Sequence, residues 1–229
     1  MFTHSLRFDR RDKSFGCQML FGLVGMVAVC ISSLVHAHPH SWVDMKTQIE
    51  GENGLVSGIK MEWTFDAMTS AYLLDGEDMS PENAEKTLDK IAKTVVKNMV
   101  SEDYFTYFYD GEKPVKYHRA LDPKLERAKS KLKLSFTLPL ARPKPLTRDT
   151  LRLLAFDSSY YVDMVWRSKS DIILSKGLAK QCQLELVEPN PTSQQMMYAM
   201  SLPTNADPDN TLGQLFTQMV KMHCAIATS

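Results

Sequence analysis

Leu132-Lys133-Leu134-Ser135-Phe136-Thr137-Leu138 alternates apolar and polar side chains without a break. Successive side chains of a strand point to opposite faces, so this stretch is predicted to lay Leu132, Leu134, Phe136 and Leu138 on a core. Downstream, residues 150–156, 160–166 and 171–174 read as further strands, and residues 178–187 hold Cys182 in another. A Pro- and Asn-rich link over 189–210 is interrupted by a methionine-rich helical segment. It leads to a helical turn at 212–218 and a last strand over 219–226.

Upstream, residues 42–50 and 55–65 read as two strands joined by Gly51-Glu52-Asn53-Gly54, with Ile59, Met61 and Trp63 on one face. Asp66 stands where an N-cap would serve the short helical run 67–74. Ser80-Pro81-Glu82 opens a longer helix as N-cap, first helical residue and acidic first turn. That helix is expected to reach residue 100, with Leu88, Ile91, Val95 and Met99 as its apolar stripe. Residues 104–109, the hairpin signal Asp110-Gly111 and residues 115–118 add aromatic-rich strands. The basic run over 124–133 reads as a solvated turn and strand edge. The fold class is therefore α+β: a mainly antiparallel β-sheet or sandwich with a helical hairpin inserted over 66–100.

The chain begins with basic residues Arg7, Arg10, Arg11 and Lys13, followed by an uncharged apolar run over 19–35. Val35-His36-Ala37 then supplies the small residues that a signal peptidase reads. Residues 1–37 are expected to be a cleaved secretory signal and residues 38–229 a single exported domain, an uncleaved anchor being the alternative. The 27 basic and 27 acidic residues balance, which argues against nucleic acid or an anionic membrane as the main partner. Beyond the signal only Cys182 and Cys224 remain, and in an oxidising compartment they are expected to form one disulfide. Because His223 adjoins Cys224, a metal site there is the alternative.

Cleavage after Ala37 would leave His38 presenting a free amine and an imidazole to one ion. His40 and Asp44 share its parity, so one strand would point all three the same way. Trp42-Val43-Asp44-Met45 is echoed by Tyr161-Val162-Asp163-Met164, and a sheet setting these segments side by side would add Asp163. Two imidazoles with carboxylates suit zinc, nickel or copper better than calcium or magnesium. The metal ligands expected are thus His38, His40, Asp44 and Asp163, with zinc the first choice; a solvated arm is the bland alternative for His-Pro-His. Met196, Met197 and Met200 read as packing for a short helix, with copper(I) ligation the sharper alternative. His118 and His223 read as structural. The acidic Asp75-Gly76-Glu77-Asp78 lacks the spacing and the terminal glutamate of a calcium loop.

No phosphate loop, nucleophile elbow or His-Glu-x-x-His helix occurs, so a binding protein is expected and not an enzyme. Two alternatives stand beside it: a copper enzyme with an N-terminal histidine brace, and a structural partner of a membrane transporter.

The order of Ala37-His38-Pro39-His40, the aromatic-x-Asp strand, Trp63-Thr64-Phe65-Asp66, Tyr104-Phe105-Thr106-Tyr107 and Tyr160-Tyr161-Val162-Asp163 resembles the domain of unknown function 1007 family. The resemblance extends to Cys182 and Cys224. Members of that family are labelled as periplasmic components of an uncharacterised transport system. They are frequently encoded beside nickel/cobalt (NicO-type) permeases, and some are linked with zinc uptake. The resemblance implies a periplasmic metal-binding accessory, serving an inner-membrane permease, with zinc, nickel or cobalt as its ion. Many relatives carry a longer acidic, calcium-like loop; here it is shortened to Leu74-Asp75-Gly76-Glu77-Asp78, and calcium does not carry over.

Overall fold

Leu132, Leu134, Phe136, Leu138 and Leu140 all turn inward and are no more than 3% exposed. They lie on strand β6 (Lys131–Pro145), which runs beyond the predicted stretch at its C-terminal end. Fully burying one such side chain is worth about 1.5–3 kcal/mol, so this strand alone fixes which way the sheet faces. A computed structural model describes residues 40–202 and 212–225. Residues 1–37, expected to be a secretory signal, and His38, expected to become the N-terminus, lie outside the described residues. Residues His38–Ser229 form one compact unit.

The first sheet is built on β1 (Ser41–Glu52) and β2 (Leu55–Phe65). They are joined at Asn53-Gly54, whose φ angles of 53° and 75° are those a two-residue hairpin turn demands. β6 pairs with the far side of β2, and β5 (Leu121–Ala128) pairs with β6. Register rows Met45↔Trp63 and Trp63↔Leu134 continue the buried face across the sheet. On its other side β1 meets two late strands in parallel: β8 (Val162–Val165) and, further along, β9 (Ile172–Leu174). The order is β5-β6-β2-β1-β8, with β9 also on β1.

The second sheet, β10-β11-β7-β3-β4, is antiparallel throughout. Its strands are β3 (Thr106–Asp110), β4 (Lys113–Val115), β7 (Leu151–Ala155), β10 (Cys182–Val187) and β11 (Met219–Cys224). Phe108, Leu151, Leu153, Leu184, Val220 and Met222 join the first sheet's inner residues in one apolar cluster. Both sheets therefore share a core, and the chain is α+β and sheet-dominated. Cys182 and Cys224 face each other across β10 and β11 and form a disulfide with Cα atoms 4.0 Å apart. The alternative of Cys224 as a metal ligand is thereby closed.

The helices depart from expectation in detail. Helix α1 (Ala67–Leu74) is capped by Asp66 as predicted, its carboxylate accepting the Met68 and Thr69 N–H groups. The longer helix α2 is shorter than predicted, Ala84–Asn98. Residues 80–83 form a preceding turn, because the Ser80 carbonyl accepts the N–H groups of both Asn83 and Ala84. Its buried face is Thr87, Ile91, Ala92 and Val96, with Met99 just beyond; Leu88 and Val95 are only partly covered. The stripe is thus rotated from the predicted one, since small Thr87 and Ala92 allow closer approach than the larger apolar residues would. A short 3₁₀ turn follows from Met99, and the chain then leaves right-handed helical geometry at Glu102, with Asp103, Tyr104 and Phe105 at positive φ, so the strand predicted from 104 begins only at Thr106. Lys176–Ala179 is likewise helical (α3), where a strand was predicted from 178. The Ser175 hydroxyl before it is bonded to both the N–H and carbonyl of Gly51.

The methionine-rich helix α4 (Ser193–Ser201) is closed at its start by a Thr192/Gln195 capping box. It buries only Ala199, whereas Met196, Met197, Tyr198 and Met200 are exposed, so these methionines are not core packing. Among the described residues no helix is long and apolar enough to cross a membrane.

Candidate functional site

The start of β1 lies in parallel beside β8, with Ser41 opposite Val162, Trp42 opposite Asp163 and Asp44 opposite Val165. Ser41, Val43 and Met45 are buried, so Trp42 and Asp44 lie on the outer face. Met164 on β8 and Trp166 just after it are buried, which sends Asp163 to that same outer face. His40 precedes β1 in phase with Trp42, and its N–H donates to the Tyr161 carbonyl at 2.9 Å. The His40 and Tyr161 rings lie 5.0 Å apart between centroids. The aromatic-x-Asp echo therefore belongs to neighbouring strands, offset by two residues, with aromatic beside carboxylate and not beside aromatic.

Two aspartates hold this junction. The Asp66 carboxylate accepts from the Trp42 N–H at 3.1 Å and the Thr69 hydroxyl at 2.5 Å, besides capping α1. Burial pushes its pKa up, but hydrogen bonds from the Thr69 hydroxyl and the Thr69, Trp42 and Met68 N–H groups outweigh this and hold it at about 2. The Asp157 carboxylate accepts from the Ser159 hydroxyl and from the N–H groups of Ser159, Tyr161 and Val162. Asp66 thus fixes the entry to β1 and Asp157 the entry to β8.

The outer-face carboxylates differ in partners. Arg167 Nε donates to Asp44 Oδ1 at 2.6 Å. Asp163 makes no hydrogen bond or ion pair with the described residues and is partly buried. Burial raises its pKa above the usual carboxylate value, the Asp44 charge adds to that, and the Arg167 charge opposes it. An unpartnered, partly buried carboxylate attracts a cation more strongly than an exposed one, because less water competes for it.

Of the expected ligands, the structure brings His40, Asp44 and Asp163 to one face of one strand pair, and His38 lies outside the described residues. Among the described residues no three histidine, cysteine or acidic side chains converge as a metal-holding group. Arg167 and Asp157 were not read from the sequence; the Asp157-Ser158-Ser159 segment is a turn signal that pointed to the latter. His118 is exposed, and its N–H donates to the Pro139 carbonyl. His223 is clasped between two carboxylates, Nδ1 lying 2.8 Å from Asp149 and Nε2 3.0 Å from Glu185. These bonds, to Asp149 first, raise its pKa above 6.5. In the shortened acidic loop the Asp78 carboxylate is taken up by the Ser80 N–H and the Asn83 amide, and Glu77 pairs with Lys90.

Fold and site together define a disulfide-closed, sheet-dominated α+β protein in which Asp44 of β1 and Asp163 of β8 share the outer face of a parallel strand junction, with His40 just before β1. The family model described as a protein of unknown function (DUF1007) matches residues 23–224, and the chain belongs to that family. An uncharacterised protein of Haemophilus influenzae is 35% identical over 202 residues, 87% of this chain and 97% of that one. No solved structure matches the chain.

Proposed function

We propose that the protein is an exported, periplasmic metal-binding accessory that captures a divalent ion and supports its uptake through an inner-membrane permease of the NicO type. Zinc is the first choice of ion, with nickel and cobalt next. His38 and His40 are the imidazole ligands, and Asp163 and Asp44 the oxygen ligands or the groups that orient the imidazoles. The observation that carries this reading is Asp163, a partly buried carboxylate without a direct partner, on the face where His40 and Asp44 also lie. Export is supported by the basic-then-apolar start of the chain and by the Cys182–Cys224 disulfide, a bond that persists in oxidising compartments. A binding role, and not catalysis, is supported by the absence of any recognised catalytic motif in the sequence.

The test is zinc titration calorimetry on the protein purified from periplasm, with its N-terminus fixed by intact mass. Wild type is compared with His38→Ala, His40→Ala and Asp163→Ala. Each variant is expected to bind more weakly, and wild-type affinity in both histidine variants would place the site elsewhere. Copper is the second reading, favoured by the exposure of Met196, Met197 and Met200, since thioethers suit copper(I). Copper(I) binding lost on replacing these methionines, with zinc binding absent, would select it.

A further inference from the structure

We propose that a half-open groove of about 410 Å³ between α2 and the start of β5 binds a soluble anionic amphiphile, a carboxylate carried on a single apolar chain. Its volume falls in the range of small-molecule sites, about 300–1,000 Å³. One wall is Lys93, Val96, Lys97 and Val100, spaced i, i+3, i+4 and i+7 along α2 and the turn after it, so all four share a face. Tyr104, Arg119, Ala120 and Pro123 complete the lining.

The lining divides into two chemistries. Every charged residue in it is a cation, and every other residue is apolar or aromatic. Lys97 and Arg119 are exposed, and their side chains make no hydrogen bond or ion pair with the described residues. Lys93 pairs with Asp89 at 2.7 Å, an exposed contact that holds it only weakly. None of the acids on the adjoining segments lines the groove: Asp103 pairs with Lys116, Asp122 lines a separate groove with Lys46 and Lys60, and Glu102 lies outside the lining. The carbonyl end of α2 opposes an anion with about half a charge, less than the two free cations supply. Val100 is 49% exposed, so an apolar chain laid against it removes apolar surface from water. Exposed cations alone bind an anion weakly, and the apolar wall alone does not use the charge, so a molecule that carries both parts is the one favoured.

A second observation points to the same place. Tyr104, the aromatic part of the lining, is the middle one of three consecutive non-glycine residues at positive φ, with 46° at Asp103, 59° at Tyr104 and 51° at Phe105. Backbone of this kind costs conformational energy and clusters at ligand clamps. Here it sets the ring between the two walls, where the Tyr104 hydroxyl accepts the Ala120 N–H at 3.0 Å. Two lining residues far apart in the chain are thereby tied together, so the groove is formed before a ligand arrives and less ordering opposes binding. His40, Asp44 and Asp163 do not line it, and the inference stands apart from metal binding.

The experiment titrates the exported protein with octanoate, kept below its micelle concentration, and with 1-octanol, which has the chain without the charge. Valine-methyl NMR is expected to show octanoate shifting Val96 and Val100 to saturation while Val220 of β11 stays in place, with octanol binding more weakly. Lys97→Gln and Arg119→Gln are each expected to weaken octanoate by about two- to fivefold and to leave octanol unchanged, and Lys97→Arg to restore the wild-type affinity. No saturable shift at Val96 and Val100 would overturn the site. Octanol binding as tightly as octanoate, or an equal loss of both probes in the glutamine variants, would overturn the anionic head. Shifts at these valines with phosphatidylglycerol vesicles and none with octanoate would overturn the proposal in favour of a lipid surface.

Discussion

Arg167 and Asp44 meet across the β1/β8 junction, the guanidinium Nε donating to the carboxylate at 2.6 Å. Asp163 shares that face, so one cation is set beside two carboxylates, and the arginine side chain is itself 65% exposed. An exposed pair of this kind contributes little to stability, about 0–1 kcal/mol. Its larger consequence is competition for the acidic groups. Under the metal reading, Arg167→Ala is expected to tighten zinc binding by about two- to fivefold with folding stability nearly unchanged. Calorimetry showing no gain would remove Asp44 and Asp163 from the site.

Asp66 carries a pH dependence of determinate sign. Its folded pKa of about 2 lies below the ordinary 3.8, so its stabilisation is fully present above the ordinary value and lost as pH falls through about 2. Asp66→Asn should flatten the decline in stability between pH 4 and 2. Asp66→Ala removes the helix cap as well and should cost about 0.5–2 kcal/mol near neutrality. Denaturant titrations at several pH values check both.

The His223 clasp runs in the opposite direction. Hydrogen bonds to Asp149 and then Glu185 raise its pKa above 6.5. Its stabilisation is therefore complete below 6.5 and fades as pH rises through the raised folded value. NMR titration is expected to place the His223 midpoint above 6.5 and to bring it down in Asp149→Asn. A midpoint at or below 6.5 in the wild type would contradict the clasp.

The disulfide closes a sequence separation of 42 residues, for which chain entropy gives about 4 kcal/mol of stabilisation. Reduction, or Cys182→Ala with Cys224→Ala, should lower unfolding free energy by up to that amount. Equal denaturation midpoints with and without reductant would show that the strand pairing alone sets stability here.

Deep in the core, Trp166 Nε1 donates to the Thr47 hydroxyl at 2.9 Å, tying the segment after β8 to β1. Thr47→Val keeps the shape and leaves the indole N–H without an acceptor, an expected loss of about 1–3 kcal/mol. Thermal denaturation measures it.

What was legible in the sequence was local. The alternation at 132–138 gave β6 its inward face, Asn53-Gly54 lay within the predicted turn, and Asp66 was recognisable as a cap because N-capping depends on neighbouring residues only. The Asp44/Asp163 proximity followed from an echo of three residues, but its two-residue offset depends on register, which a single strand does not encode. Arg167 was invisible because its partner lies 123 residues away. The positive φ angles of Asp103, Tyr104 and Phe105 were invisible too: the two aromatics favour a strand, whereas here the Ala120 N–H donates to the Tyr104 hydroxyl and the Phe156 N–H to the Phe105 carbonyl, partners far along the chain.

The parallel pairing of β1 has a consequence for the order in which the chain acquires structure. β2 is available to β1 as soon as the hairpin is made, but the opposite edge must wait for residues 162–174, more than a hundred positions later. Until then the hairpin carries a row of unsatisfied amides and carbonyls, the feature that invites wrong pairing with other chains. Closing a loop of that length is slow compared with forming the hairpin, so the last strand to dock on the first sheet sets the pace. A newly made chain thus carries an open strand edge along β1 until residues 162–174 arrive to cover it.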